Sequence, residues 1–353
     1  MTIGLIRPPV IGIPPFELIT HHAAMTLSTA SLRSRWILPL AVVLGGSWLA
    51  GEESAPPKPE APLWTAPTED RLPPEGEERD LILYGKSLIS STAAYLGPQG
   101  SVSTTTNGMN CQNCHLDAGG RPWGNNYFGV QSCYPKFRAR SGTEETIVKR
   151  ISDCFERSLN GTAPAPDSRE MQALLAYMKW LGTGVAKDQR PPGTGLKTLP
   201  YLDRAADPDK GQAVFTAKCI ACHGVEGQGL KLEGQTVYQY PPLWGDHSYN
   251  DAAGLFRLSS FASYVKANMP FGATIDTPML TDEEAWDVAA FVNSRPRPHM
   301  DQSHDWVDIS KKPIDQPFGP YSDHFDETQH KFGPFPPIQA DHKATEAAKK
   351  AGQ

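Results

Sequence analysis

Two short motifs constrain this chain more than any other feature: Cys111-Gln112-Asn113-Cys114-His115 and Cys219-Ile220-Ala221-Cys222-His223. Cysteines at i and i+3 lie on one side of a helical turn, where each sulfur can form a thioether with a vinyl group of one porphyrin. The histidine that follows then lies beneath the ring and offers a nitrogen to iron. A zinc site or a redox dithiol also uses Cys-x-x-Cys, but here each pair is followed directly by His and the whole pattern occurs twice. The motifs predict two covalently bound haem c groups, attached at Cys111, Cys114 and His115 and at Cys219, Cys222 and His223.

The surroundings of the motifs repeat as well. Leu81, Tyr84, Leu88 and Tyr95 recur at helical spacing before the first motif, and 207–218 reads as a helix before the second. Closing helices are expected over 167–181 and 281–293, with Ala176-Tyr177 matching Ala290-Phe291. The fold class is therefore mainly α: two tandem class I cytochrome c-like domains with long irregular loops and an irregular C-terminal extension. The expected boundaries are a first cytochrome domain over 80–190 carrying the catalytic haem, a Pro/Gly-rich linker at 191–206, and a second over 207–298 carrying the electron-transfer haem. The tail 299–353 has no sustained period, and its aromatics, among them Trp306, Phe318, Tyr321, Phe325 and Phe332, are expected to pack across the body. Its last dozen Ala/Lys-rich residues are expected to be disordered.

Arg33 and Arg35 precede an apolar run from Trp36 to Ala50, so residues 1–50 read as a targeting segment and the protein as exported to the periplasm. The run falls short of the roughly 20 residues a bilayer span needs and contains Pro39, so membrane attachment arises only if the segment stays uncleaved. Residues before Met25 read as an over-extended start. The Pro/Glu/Ala-rich stretch 51–79 is expected to be a flexible linker. A formal charge of −6 argues against a nucleic-acid partner, and a small anion would need a local basic pocket.

The second axial position on each iron decides redox potential and substrate access. In the second half Met269, followed by Pro270, is the expected ligand; Met279 competes, but its place beside the closing helix favours core packing. The first half has no His between His115 and the linker, leaving Cys133, Cys154, Met171 and Met178. Both methionines lie on one face of the closing helix, where buried filler explains them. Aligning Tyr177 with Phe291 puts the counterpart of Met269 at Phe155, beside Cys154. Ser141-Gly142-Thr143-Glu144 matches a capping box that would open a helix towards Asn160-Gly161. Along it Arg150, Cys154 and Ser158 share a face, and a guanidinium one turn away favours the thiolate. Arg150, helped by Arg140 and Arg138, would hold an anion beside the sulfur. The alternative is a Cys133–Cys154 disulfide, with the arginines solvated or paired with Glu144, Glu145 and haem propionates.

Several stretches together resemble the dihaem thiosulfate dehydrogenase family: 110–118, 134–142, 150–161, 240–250, 267–272, 280–297 and 312–337. The resemblance implies oxidation of two thiosulfates to tetrathionate, run in either direction. By position it makes Cys154 the haem-ligating cysteine that bonds transiently to the substrate, Arg140, Arg150 and Ser158 the lining of its pocket, and Met269 the second haem's ligand. The partners implied are thiosulfate, tetrathionate and a small soluble electron-transfer protein such as a cytochrome c. Relatives with a lysine beside the methionine can exchange the two; Asn268 stands there in this chain. Cys133 has no counterpart in that pattern. The rival readings are an electron-carrier cytochrome with no substrate of its own, and a cytochrome subunit of a multiprotein sulfur-oxidising complex. His247, His299, His304, His324, His330 and His342 read as surface or packing residues.

Overall fold

The computed structural model describes residues 62–352 apart from 232 and 234–236, so the expected targeting segment lies outside the described residues. The first half holds α1 (Glu77–Ser90), α2 (Thr92–Leu96), α3 (Leu116–Gly119), α4 (Val130–Cys133), the strands β1 (Lys136–Arg138) and β2 (Thr143–Glu145), α5 (Ile147–Arg157) and α6 (Arg169–Leu181). The second holds α7 (Pro208–Lys218), α8 (Ile220–His223), β3 (Leu230–Lys231), β4 (Tyr238–Tyr240), α9 (Leu258–Asn268) and α10 (Asp282–Asn293). The tail carries α11 (Glu327–Phe332) and α12 (Phe335–Ala351). The chain is mainly helical, and its strands pair only as two small antiparallel ladders.

Each half is organised by one helix crossing. Ile82, Gly85 and Ile89 of α1 and Met171, Leu174, Tyr177 and Leu181 of α6 recur three or four residues apart and, with Leu88, are buried where the two helices meet. At the crossing sits Gly85, where a Cβ would stand 2.0 Å from the Ala173 carbonyl oxygen and 2.7 Å from the Tyr177 Cβ. In the second half Gly211 of α7 meets α10 the same way, its notional Cβ 1.9 Å from the Asp287 carbonyl oxygen and 2.8 Å from the Phe291 Cβ. Only a residue without a side chain lets two helix backbones approach so closely. The two crossings superpose Tyr177 on Phe291, which is the alignment the repeat suggested. The closing helices start where side-chain caps exist: the Ser168 hydroxyl accepts from the Met171 amide, and Thr281 with Glu284 forms a capping box.

Four local expectations are corrected. The box at Ser141–Glu144 does not open a helix: Gly142, at φ +68°, turns a hairpin that pairs Arg138 with Thr143, and α5 begins at Ile147, capped by Thr146. The stretch 51–79 is not linker throughout. Trp64 packs on Phe128 with tilted rings and centroids 4.1 Å apart, the Arg71 carbonyl accepts from the Trp180 indole, and α1 starts at Glu77. The last dozen residues are helical as far as Ala351 rather than disordered, because Phe335 and Ile338 anchor α12 in the second core. Met279 is half exposed rather than core, since it lies in the loop before α10.

The halves are joined by hydrogen bonds to backbone. The Asn107 amide donates to the Ser248 carbonyl (3.0 Å), the Asn250 amide to the Glu156 carbonyl (2.8 Å), and the Tyr264 hydroxyl to the Asn113 carbonyl (2.8 Å). The tail returns over the first half, where Asp305 accepts two hydrogen bonds from Arg157 (2.7 and 2.8 Å) and the Trp306 amide donates to the Arg140 carbonyl. Among the described residues no helix is long and apolar enough to cross a membrane.

Candidate active site

Both motif histidines are fixed through one ring nitrogen. The Nδ1 of His115 meets the Asn125 carbonyl oxygen and that of His223 meets the Pro241 carbonyl oxygen, the latter at 2.9 Å. A carbonyl oxygen can only accept, so the proton belongs on Nδ1 and the Nε2 lone pair is left for a metal. Burial pushes His115 down to about 4 and lowers His223 too, which keeps both rings neutral, as ligands must be. Tyr127 stacks on His115 with ring centroids 4.4 Å apart, setting its plane. Burial also pushes the thiols of Cys111 and Cys219 up to about 11 and that of Cys114 up to about 12. Sites so hostile to a thiolate suit the uncharged sulfur of a thioether.

A cavity of about 210 Å³ opens beside the first motif and is lined by Cys111, His115, Cys133, Cys154, Met178 and the cations Lys136, Arg138, Arg150 and Arg190. Among the described residues no carboxylate lines it, although the chain as a whole carries a formal charge of −6. Cys154 reaches this space because α5 turns Ile151 and Phe155 into the core and presents the adjacent face, Arg150, Cys154 and Ser158, to the cavity side. The Arg150 guanidinium is buried and donates to the Cys154 sulfur at 3.3 Å. That sulfur, followed by Tyr134 and Asp153, holds Arg150 above its ordinary value against the cost of burial. Ser158 lines a smaller adjoining cavity with His115, Asn125, Arg150, Cys154 and Ser260.

Two expectations change at this site. Cys133 and Cys154 share the cavity wall, but both are free thiols, so no disulfide joins them. Arg140 lines neither cavity. Its guanidinium is committed to buried Asp153, which Lys149 also contacts at 2.5 Å, because the hairpin turn carries Arg140 past the end of β1 towards the face of α5 that bears Lys149 and Asp153. Burial, then the nearby Arg157, lower Arg140, and Asp153 and Asp305 offset only part of that. Arg138, two residues earlier at the end of β1, lines the cavity instead.

The second cavity, about 330 Å³, is lined by Cys219, Cys222, His223, Met269 and the apolar residues Phe215, Leu255, Val265 and Val292. Met279 is absent from its wall. Asn113, Cys114 and Arg121 of the first half also line it, so the attachment loop of the first motif forms part of the second motif's surroundings. The first cavity thus carries Cys111, a neutral histidine with a free Nε2 and the Cys154 sulfur, with Cys114 on the adjoining cavity, and the second carries both Cys219 and Cys222, His223 and the Met269 sulfur; the residues present fit two haem c groups. Sequence reasoning missed the orienting carbonyls of Asn125 and Pro241, the stacked Tyr127 and the cations Lys136 and Arg190. A backbone carbonyl carries no residue-type signal, and the two cations lie in segments without periodicity.

Comparison with known proteins agrees with this architecture. A family model described as SoxA/TsdA, cytochrome c domain, matches residues 101–186, and one described as cytochrome c matches 208–296. The chain is 40% identical over 235 residues to a thiosulfate dehydrogenase of Allochromatium vinosum, covering 64% of this chain and 82% of that one. It is 35% identical over 232 residues to a thiosulfate dehydrogenase of Stutzerimonas stutzeri, covering 66% and 72%. The solved thiosulfate dehydrogenase (TsdBA) from Marichromatium purpuratum, in its as-isolated form, superposes with a TM-score of 0.62 at 34% identity, over 67% of this chain and 50% of that longer one. With two cytochrome c domains, two haem c attachment sites and relatives matched over most of their length, this chain belongs to the thiosulfate dehydrogenase family of oxidoreductases.

Proposed function

We propose that this chain oxidises two thiosulfate ions to tetrathionate beside the first haem, and that it releases the electrons through the second. The observation that carries the proposal is the cation-lined, carboxylate-free cavity around the Cys154 sulfur. A dianion taken from water into a partly closed site needs such compensating charge, and a pure electron carrier needs no such site beside a thiol. His115 and Cys154 are the ligands assigned to the first iron, His223 and Met269 to the second. When bound, the two haems supply the electron sink, one electron each, before an acceptor is reduced.

The protein's own residues divide the remaining work. Arg150, with Arg138 and Lys136 around the same space, binds and orients thiosulfate, while Ser158 offers a hydroxyl on the same face of α5. Arg140 acts at longer range, by neutralising Asp153 and so keeping that carboxylate from opposing the anion. The Cys154 thiolate and the outer sulfur of one thiosulfate form a sulfur–sulfur bond, and two electrons leave. A second thiosulfate then attacks that outer sulfur, the bond to Cys154 breaks, and tetrathionate departs with the thiolate restored. Charge and sulfur balance in both steps, and the sequence runs in reverse if electrons are supplied.

Thiolate ligation lowers an iron potential and thioether ligation raises it, so a haem held by His115 and Cys154 would have the lower potential and one held by His223 and Met269 the higher, an order that would favour oxidation. The acceptor is a small electron-transfer protein such as a cytochrome c, and the place of action is the periplasm, in keeping with haem attachment to an exported chain. The test uses the purified dihaem protein alone with thiosulfate and a small acceptor dye. Thiosulfate-dependent reduction, with tetrathionate as product, is expected. No turnover across the working pH range would reduce the chain to a carrier or to one subunit of a larger complex.

A further inference from the structure

The helix that delivers Met269 is fastened to the other half of the molecule. α9 ends at Asn268, the residue before Met269, and its last turn is placed by contacts with the other half. The Asn268 side chain is buried, and its amide nitrogen donates both to the Trp123 carbonyl in the first half (3.1 Å) and to the Tyr264 carbonyl one turn back (3.0 Å). One turn before it, the buried Tyr264 donates its hydroxyl to the carbonyl of Asn113, which lies between the two attachment cysteines of the first haem. The Asn113 side chain in turn accepts from the Asn110 amide (2.7 Å), so this carbonyl sits in a loop that is itself held. Tyr264, Asn268 and Met269 all line the second cavity, together with Asn113 and Cys114.

We propose that Tyr264 and Asn268 are positioning residues that lock Met269 on the second haem by bolting the end of α9 to the first haem's attachment loop. The proposal rests on Met269 being the second haem's ligand. Met269 follows the last residue of a helix, where backbone fraying would carry a ligand off iron. The Asn268 amide satisfies one of the helix's own late carbonyls and a carbonyl of the neighbouring half at once, which removes that freedom. Both donor side chains are buried, the two bonds that cross to the first half are at least partly shielded from water, and removing the donor leaves a carbonyl without its partner, so the lock is stronger than an exposed hydrogen bond would be. The first haem's loop thereby sets how firmly the second haem is ligated, although the first iron's own ligands are untouched.

The test replaces Asn268→Leu, which keeps volume and removes the donors, and separately Tyr264→Phe, which removes one hydroxyl. Both are made in the dihaem protein and read without turnover. Measured are the charge-transfer band of methionine-ligated ferric haem, the midpoint potential of each haem, and the imidazole concentration that displaces the methionine. In both variants imidazole should displace Met269 at about tenfold lower concentration, the size expected for one buried hydrogen bond. The second haem's potential should fall while the first is unmoved. Unchanged displacement and unchanged potential in Tyr264→Phe, the milder variant, overturn the proposal even if Asn268→Leu fails to fold. If the unaltered protein lacks the methionine band, or keeps it in Met269→Ala, the ligand assignment itself is wrong, which is a different failure.

Discussion

At the scale of single residues, Arg150 and Cys154 form the pair on which the proposed activity depends. Cys154→Ala should leave both haems attached, because the attachment sulfurs lie on other elements, yet lose turnover; retained thiosulfate oxidation would remove that sulfur from the mechanism. Arg150→Ala takes away a buried guanidinium 3.3 Å from the sulfur and should lower kcat/KM for thiosulfate about 100-fold, whereas Arg150→Lys should recover part of it. An unchanged thiosulfate concentration dependence would assign Arg150 to structure alone. For the second haem, Met269→Ala should lower the midpoint potential and Met279→Ala should not, since only Met269 lines the cavity with His223. These residues were legible in the sequence because the chemistry dictates the residue type: sulfur for iron, guanidinium for an anion. Arg140 was less legible. Position along the chain brings it near Cys154, but the side chain's direction depends on a hairpin turn at Gly142 that no helical pattern reveals.

At the scale of secondary-structure elements, the pair of glycine crossings is the device that builds each half. Gly85→Ala should force α1 away from α6 and destabilise the first half by about 1–3 kcal/mol, read as a lower unfolding midpoint with the second haem's spectrum intact. An unchanged midpoint would mean that the helices separate at no cost. The repeat was readable from Tyr177 and Phe291, but the glycines were not singled out, because a glycine inside a helix weakens it unless a partner backbone lies against it. The hairpin β1–β2 was misread for a related reason: Ser-x-x-Glu satisfies a local capping rule, and the choice of turn over helix was made by a left-handed glycine within it. Helix α5 starts five residues later than that rule suggested, at a site where Thr146 supplies the cap. Its cavity-facing residues were still placed correctly, since Arg150, Cys154 and Ser158 keep their spacing wherever the helix begins.

At the scale of the whole molecule, the tail binds the two halves together. Arg157, three residues after Cys154, is clasped by Asp305, Phe335 and Ile338 sit in the second core, and within the tail itself Asp323 accepts from buried His330 (3.0 Å) and from His342 (2.7 Å). Burial pushes the Asp323 carboxyl up, but the two histidine hydrogen bonds outweigh it and leave it below its ordinary 3.8. A carboxylate depressed in the folded state stabilises fully above its unfolded value and loses that contribution as pH falls through the lower, folded one. Acid unfolding of the native protein and of Asp323→Asn should therefore differ by a constant amount from pH 5 to 7 and converge below about 4; a gap that persists into acid would place the titration elsewhere. That the tail packs on the body was expected from its aromatics, but the helix at its end was not. Lys and Ala give no apolar stripe, and the two residues that pin α12, Phe335 and Ile338, stand at its very beginning.

Those two side chains have a bearing on how the protein is made. The second half's interior stays incomplete until residue 338 emerges, so a chain threaded out amino end first must wait, with Cys219 and Cys222 reachable, while the first half closes on its own hydrophobic cluster. Porphyrin attachment at the second motif thus has a longer window of access than at the first.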